Sequence, residues 1–192
     1  ISESAQRIYL DEINLAEQTI KQLKRICIIA CGTAYYAGMV GKYWLEKLTR
    51  IPVEVEFASE FRYRDPILDE NTLVIAISQS GETIDTLFAL KEAKEKNAKT
   101  LGIINVKGSA ITRQVDGTLY LQAGPEISVA STKAFMAMLG ALQLLGLHFS
   151  HVRGQLSLDK LLNHMQQLKR LPRLLEETIH QVSPTVEHIA PK

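Results

Sequence analysis

Residues 78–83, Ser-Gln-Ser-Gly-Glu-Thr, gather three hydroxyls and a glycine at a point where an apolar run gives way to a helical pattern. Leu73–Ile77 reads as a strand, and from about Thr83 the residues Ile84, Leu87, Phe88 and Leu90 follow helical spacing. A strand that turns tightly into a helix leaves the first helical N–H groups without intrahelical acceptors. Gly81 permits a close backbone bend, and Ser78, Ser80 and Thr83 add donors around it. This chemistry suits an anion, most simply a phosphate, at the positive end of a helix dipole. The turn holds no Lys or Arg and is not the G-x-x-x-x-G-K-[ST] nucleotide loop. Its pattern therefore predicts a neutral-donor cradle for a small phosphorylated metabolite. Helix capping by the same residues is the alternative that local sequence leaves open.

Two other stretches have comparable chemistry. Cys31-Gly32-Thr33 follows the apolar run Ile26–Ala30, and the polar loop Glu126–Thr132 precedes a long apolar helix over Ser131–His148. Between these points the pattern alternates. A helix is expected over 34–48, a strand over Val53–Phe57 at a sheet edge, and a short helix capped by Ser59. The central strand and its helix follow, then strands over Thr100–Asn105 and Thr118–Leu121 joined by an irregular connection. The rhythm predicts an α/β sandwich whose five-stranded parallel sheet, in the order 2-1-3-4-5, is covered by helices on both faces. In such a sheet ligands bind beyond the carboxyl ends of the strands, where the strand order reverses. One crevice could then receive all three loops. Many neutral donors and acceptors suit a polyhydroxylated ligand with one anionic end, for which a sugar phosphate is the simplest candidate.

The remaining features bound the function class. The chain has 192 residues and a net charge of +1 from 22 basic and 21 acidic residues, with no long like-charge block, which argues against a nucleic-acid surface. Two cysteines, Cys27 and Cys31, are too few and too close for a secreted disulfide framework, so a cytoplasmic setting is expected. No uninterrupted apolar run has membrane-spanning length, and no membrane partner is expected. The first residue is Ile1 and the last is Lys192, and the chain reads as a piece of a longer protein. The expected organisation is an N-terminal helix within 1–25, running from about Ser2 to Leu23, a lobe over 26–153, and a helical extension over 154–192 broken at Leu171-Pro172.

The stretches CGTAYYAG, ASEFRYR, SQSGET and ISVASTKAF, in this order and at these distances, resemble the first sugar-isomerase (SIS) lobe of the glutamine–fructose-6-phosphate aminotransferase family. The resemblance covers roughly Ile26 to Phe149. It implies an SIS-type five-stranded sandwich in an enzyme that makes glucosamine 6-phosphate from fructose 6-phosphate and glutamine for amino-sugar biosynthesis. By resemblance, Ser78, Gln79, Ser80 and Thr83 hold the sugar's phosphate. Thr33, beside Cys31 and Gly32, contacts the sugar chain, as do Ser131 and the backbone around Val129 and Ala130. Two positions depart from the family pattern: Ala34, where Ser is common, and Ser128, where Gly is common. The resemblance also implies a glutaminase domain, a second SIS lobe and a homodimer. It places most of the acid–base and imine-forming groups elsewhere, so no catalytic residue, metal or cofactor is expected in this segment. A regulatory phosphosugar-sensing SIS module is the alternative.

Several residues tempt a sharper reading. Cys27 and Cys31 could be thiol nucleophiles, but no His is near in sequence to activate them. His148 and His151 lack a further ligand type nearby and read as helix-end residues rather than a metal pair. Glu82 could serve as a base, although favouring its own helix start is the simpler role. Glu126 could contact sugar, and Lys133 in a first helical turn suggests an ion pair or a ligand contact. Arg62, Tyr63 and Arg64 read as surface or interface residues.

Overall fold

The computed structural model describes Ser2 and residues 7–190. Five parallel strands make the sheet: β1 (Arg25–Ala30), β2 (Val53–Phe57), β3 (Thr72–Ser78), β4 (Lys99–Ile104) and β5 (Gly117–Tyr120). Their order is β2-β1-β3-β4-β5, as the alternating pattern predicts, with β2 at one edge. β1 and β3 are buried almost throughout because helices cover both faces of the sheet. Alternate residues feed two separate cores. Ile26, Ile28, Leu73, Ile75 and Ile77 pack with Ala37 and Leu45 of α2 (Thr33–Thr49) and with Met138, Leu142 and Phe149 of α6 (Lys133–Val152). Cys27, Ile29, Val74 and Ala76 face the other way, toward Phe61 of α3 (Ala58–Phe61), Ala89, Leu90 and Ala93 of α4 (Ile84–Glu95), and Ile111 of α5 (Ala110–Gln114).

Several local expectations are corrected. In place of one helix over 2–23, the described residues form a 3-10 turn at Asp11–Ile13 and the short α1 (Glu17–Gln22); residues 3–6 of that expectation lie outside the described residues. Ser59 lies inside α3, whose N-cap is Phe57. The connection after β4 contains α5. On α4, Ile84 and Phe88 are exposed, while Thr86, Ala89, Leu90 and Ala93 are buried. Small residues let that helix lie close to the sheet, and Phe88 instead covers the Arg62 guanidinium, 4.2 Å from the ring centre. Arg62 also pairs with Asp85 at 2.8 Å, fastening the residues after α3 to the first turn of α4.

α6 is long and apolar enough to cross a membrane by length and composition. Its apolar residues have a different role here, since Ala134, Met138, Leu142, Leu145 and Phe149 are buried in the core shared with α2 and the sheet.

The chain divides into two compact units. One comprises residues 8–156; the other combines, among the described residues, Ser2 and Arg7 with 157–190. Within the second, α7 runs unbroken from Leu158 to Ile189 with Pro172 and Pro184 inside it. Proline fixes φ near the helical value, so each ring costs a hydrogen bond without dictating a stop, and the strong helical periodicity continues on both sides.

Arg153, just after α6, ties three elements of the first unit together. Its Nη1 donates to the carbonyls of Ile20, Lys21 and Leu23 at 3.0, 2.9 and 3.1 Å, and its Nε to Thr49 at 3.3 Å. These carbonyls lie in and just beyond the ends of α1 and α2, where helical C=O groups lack partners and a cation is favoured. Arg153→Ala is expected to destabilise the first unit by about 2 kcal/mol, with little recovery in Arg153→Lys, which lacks the forked donor set. Urea unfolding midpoints of the two variants check this.

Candidate functional site

The strand order reverses between β1 and β3, and the segments that follow them leave toward opposite faces of the sheet. The cleft so opened has a volume of about 430 Å³. Cys31, Gly32, Thr33, Ser78, Gln79, Ser80, Thr83, Val129, Ala130 and Ser131 all line it, so the three loops singled out in the sequence converge on one place. Ala34, Ile77 and Met138 complete the lining. Sequence reasoning missed the latter two because nothing distinguishes them from ordinary core residues.

The first loop leaves β1 through Gly32, which has φ +56° and forms the N-cap of α2. A left-handed conformation at this point favours glycine and lets Thr33 begin the helix directly. Ala34 lines the cleft without offering it a hydroxyl and also packs in the core.

The turn after β3 is organised internally. The Gly81 N–H donates to Ser78 Oγ at 3.0 Å, and the Glu82 N–H donates to Ser80 Oγ at 3.2 Å. Ser78 Oγ also lies 3.1 Å from Thr83 Oγ1. Thr83 is the N-cap of α4, yet its side chain makes no cap hydrogen bond. The hydroxyls therefore brace the turn rather than cap the helix. Ser80 Oγ accepts a backbone N–H and retains an O–H that can donate outward, while Ser78 and Thr83 share one O–H between them and leave the other free to donate. Gly81 has φ +68°, and a Cβ added there would sit 2.0 Å from Ser109 Oγ.

The third loop is closed by Glu126. Its Oε2 accepts the N–H groups of Thr132 and Ala134 at 3.1 and 3.2 Å, and Oε1 accepts Thr132 Oγ1 at 3.3 Å. Glu126 is thus a cap for α6 supplied from six residues before Thr132, and Ser128–Ser131 is the loop it closes. The side chains of Ile127 and Val129 are exposed. The Ala134 N–H, joined by the Thr132 bonds and the charge of Lys133, holds the Glu126 carboxyl below its ordinary range. Because that pKa is lowered on folding, the cap is complete above the ordinary carboxylate range and is lost as pH falls through the lower folded value. Protection of the Thr132 and Ala134 amides, relative to their intrinsic exchange rates at each pH, is expected to fall on acidification in that window, and Glu126→Ala should reproduce the lost protection at neutral pH.

Among the described residues, no charged side chain lines the cleft. Glu82 turns elsewhere: its Oε1 accepts the Ala110 N–H at 2.8 Å, at the start of α5 rather than of its own helix. His151 lies at the end of α6, its Nδ1 3.4 Å from the Leu156 carbonyl oxygen. A grouping with metal-ligand chemistry among the described residues is Cys27, Glu54 and Glu56, whose ligand atoms lie within 4.8 Å of one another. Arg25 pairs with Glu54 and Arg64 with Glu56, so both carboxylates already have cationic partners. Burial, reinforced by Glu56 and Glu54, pushes the Cys27 thiol up to about 12. Cys27 is accordingly a protonated core residue, whereas Cys31 is partly exposed in the cleft. Iodoacetamide at pH 8 is expected to label Cys31 in the native protein and Cys27 only after denaturation, as peptide mass mapping would show.

Comparison with known proteins agrees with this architecture. The chain is 55% identical over 172 residues to glutamine–fructose-6-phosphate aminotransferase (isomerizing) of Thermus thermophilus, covering 90% of this chain and 28% of that protein. It is 50% identical over 181 residues to the Mycobacterium tuberculosis protein of the same name, covering 94% of this chain and 29% of that one. The chain therefore spans less than a third of the length of these curated relatives. Its fold matches the C-terminal domain of glucosamine-fructose-6-phosphate aminotransferase from Francisella tularensis with a TM-score of 0.90 and 38% identity, over 98% of this chain and 53% of that one. The SIS domain family model matches residues 19–147, which takes in β1 to β5, the cleft and most of α6; the chain belongs to the SIS domain family.

Proposed function

We propose that this chain is the sugar-phosphate-binding lobe of an isomerizing glutamine–fructose-6-phosphate aminotransferase, and that fructose 6-phosphate and glucosamine 6-phosphate occupy the cleft. The observation that carries this reading is the convergence of three donor-rich loops on one uncharged cleft at the strand-order reversal. The phosphate sits at the 78–83 turn, against the hydroxyls of Ser78, Ser80 and Thr83, the Gln79 side chain and the open first turn of α4. Thr33, with Cys31 and Gly32 beside it, and Ser131, with the Val129 and Ala130 backbone, face the sugar chain. Relatives of the chain at 55% and 50% identity bear the aminotransferase name, which gives the reading its substrate class.

The cleft lining includes no His, Lys, Asp or Glu. Proton transfer and imine formation then draw on groups outside this lining, supplied by the further length that the relatives possess. In this reading the parent protein carries a glutaminase domain and a second SIS lobe, works as a homodimer, and resides in the cytoplasm.

Calorimetric titration with fructose 6-phosphate and glucosamine 6-phosphate tests the assignment. Ser80→Ala and Thr83→Ala are each expected to weaken binding about tenfold, the scale of one hydrogen bond to a charged group. Unchanged affinity in both variants, or no binding of either sugar by the intact wild-type protein, would overturn it.

A further inference from the structure

We propose that Glu82 is a positioning residue that fastens the 78–83 turn to the start of α5 and so keeps the hydroxyl donors of the cleft in register. The proposal rests on the reading of that turn as the phosphate cradle. Glu82 does not line the cleft, and its side chain is directed to the rear of the turn. Two bonds join the turn to α5 there. The Ile111 N–H donates to the Gly81 carbonyl at 2.9 Å, and the Ala110 N–H donates to the Glu82 carboxylate at 2.8 Å. Ser109 fills the space behind Gly81, buried to 3% exposure, and its hydroxyl is held close to the glycine Cα.

The α5 segment is itself well anchored. Ile111 is fully buried in the core with Ala89 and Leu90, and Thr112 Oγ1 donates to the Ser109 carbonyl at 2.7 Å. On the cleft side, the Glu82 backbone N–H is the donor to Ser80 Oγ. Residue 82 therefore links a fixed rear support, through its carboxylate, to a cleft hydroxyl, through its amide. Gly81 on its own is a flexible hinge, and the second bond to α5 is what restrains rotation of the peptide that follows it. A carboxylate also strengthens the bond to an N–H at a helix start.

The test compares Glu82→Ala, Glu82→Gln and Ala110→Pro in the intact protein. Ala110 is the first residue of α5 after a Ser109 N-cap at φ −69° and ψ 167°, so proline fits there while deleting the N–H that Glu82 accepts. Hydrogen exchange at Gly81 and Glu82 reports the turn without any ligand. Calorimetry with fructose 6-phosphate, and with inorganic phosphate as the simpler probe, reports the cradle. Glu82→Ala and Ala110→Pro are each expected to speed exchange at Gly81 and Glu82 and to weaken fructose 6-phosphate binding about tenfold, the scale of one charge-assisted bond. The double variant should lose no more than either single one. Glu82→Gln keeps an acceptor and is expected to remain near wild type.

Wild-type exchange in both disrupting variants would overturn the proposal, and so would a Glu82→Gln variant as weak as Glu82→Ala, because the amide oxygen keeps the acceptor that the proposal requires. If Glu82→Ala fails to fold, Ala110→Pro decides by the same readouts. Absence of sugar-phosphate binding in the wild type would instead defeat the cradle reading, while the exchange rates would still decide whether Glu82 fastens the turn.

Discussion

The pairing of β1 with β3 is the constraint on which the site depends. In their parallel register Ala30 lies opposite Ile77, so the chain leaves both strands at nearly the same level of the sheet. One departure leads through Gly32 into α2 on one face. The other leads through Ser78–Gly81 into α4 on the opposite face. Two crossovers diverging from adjacent strand ends must leave a gap between them, and right-handed connections allow the gap at only one end of the sheet. Full burial of both strands makes this register costly to change, because a one-residue slip would exchange the side chains feeding the two cores.

In the proposed reading, a cleft built in this way recognises an anion by direction rather than by net charge. Its hydroxyls and N–H groups are already oriented by bonds within the turn, so little ordering is left to the ligand. In the same reading, an uncharged lining leaves sugar hydroxyls without competition from salt-bridged side chains. The charged residues near the site act one step removed. Glu126 closes the third loop onto α6, Glu82 reaches α5, and Arg62 holds the first turn of α4 through Asp85 and the Phe88 ring. Glu82, a candidate base in the sequence, is thus committed to the start of α5, and Glu126, a candidate sugar contact, to the start of α6.

Apolar periodicity, β-branched runs and turn residues determined much of this protein by themselves. Ile26–Ala30 and Leu73–Ile77 read as buried strands, their alternation with helical stretches predicted a parallel sheet, and the hydroxyl-rich turn after Ile77 marked the place proposed for the anion. The three loops singled out by these patterns, with the ten residues that the family resemblance implied within them, line one cleft because strand ends and their turns are local features that topology then gathers. Tertiary structure decided what depends on distant partners. Nothing local to Glu82 points to Ala110, nothing in the Glu126 loop specifies its bonds to Thr132 and Ala134, and the outward turn of Phe88 follows from where Arg62 lies. Pro172 looked like a helix end because a missing N–H is visible in sequence, whereas the continuity of α7 depends on the periodicity on both sides of the ring. Local patterns carry period and turn chemistry; the choice of hydrogen-bond acceptor across the fold is made only when separate elements meet.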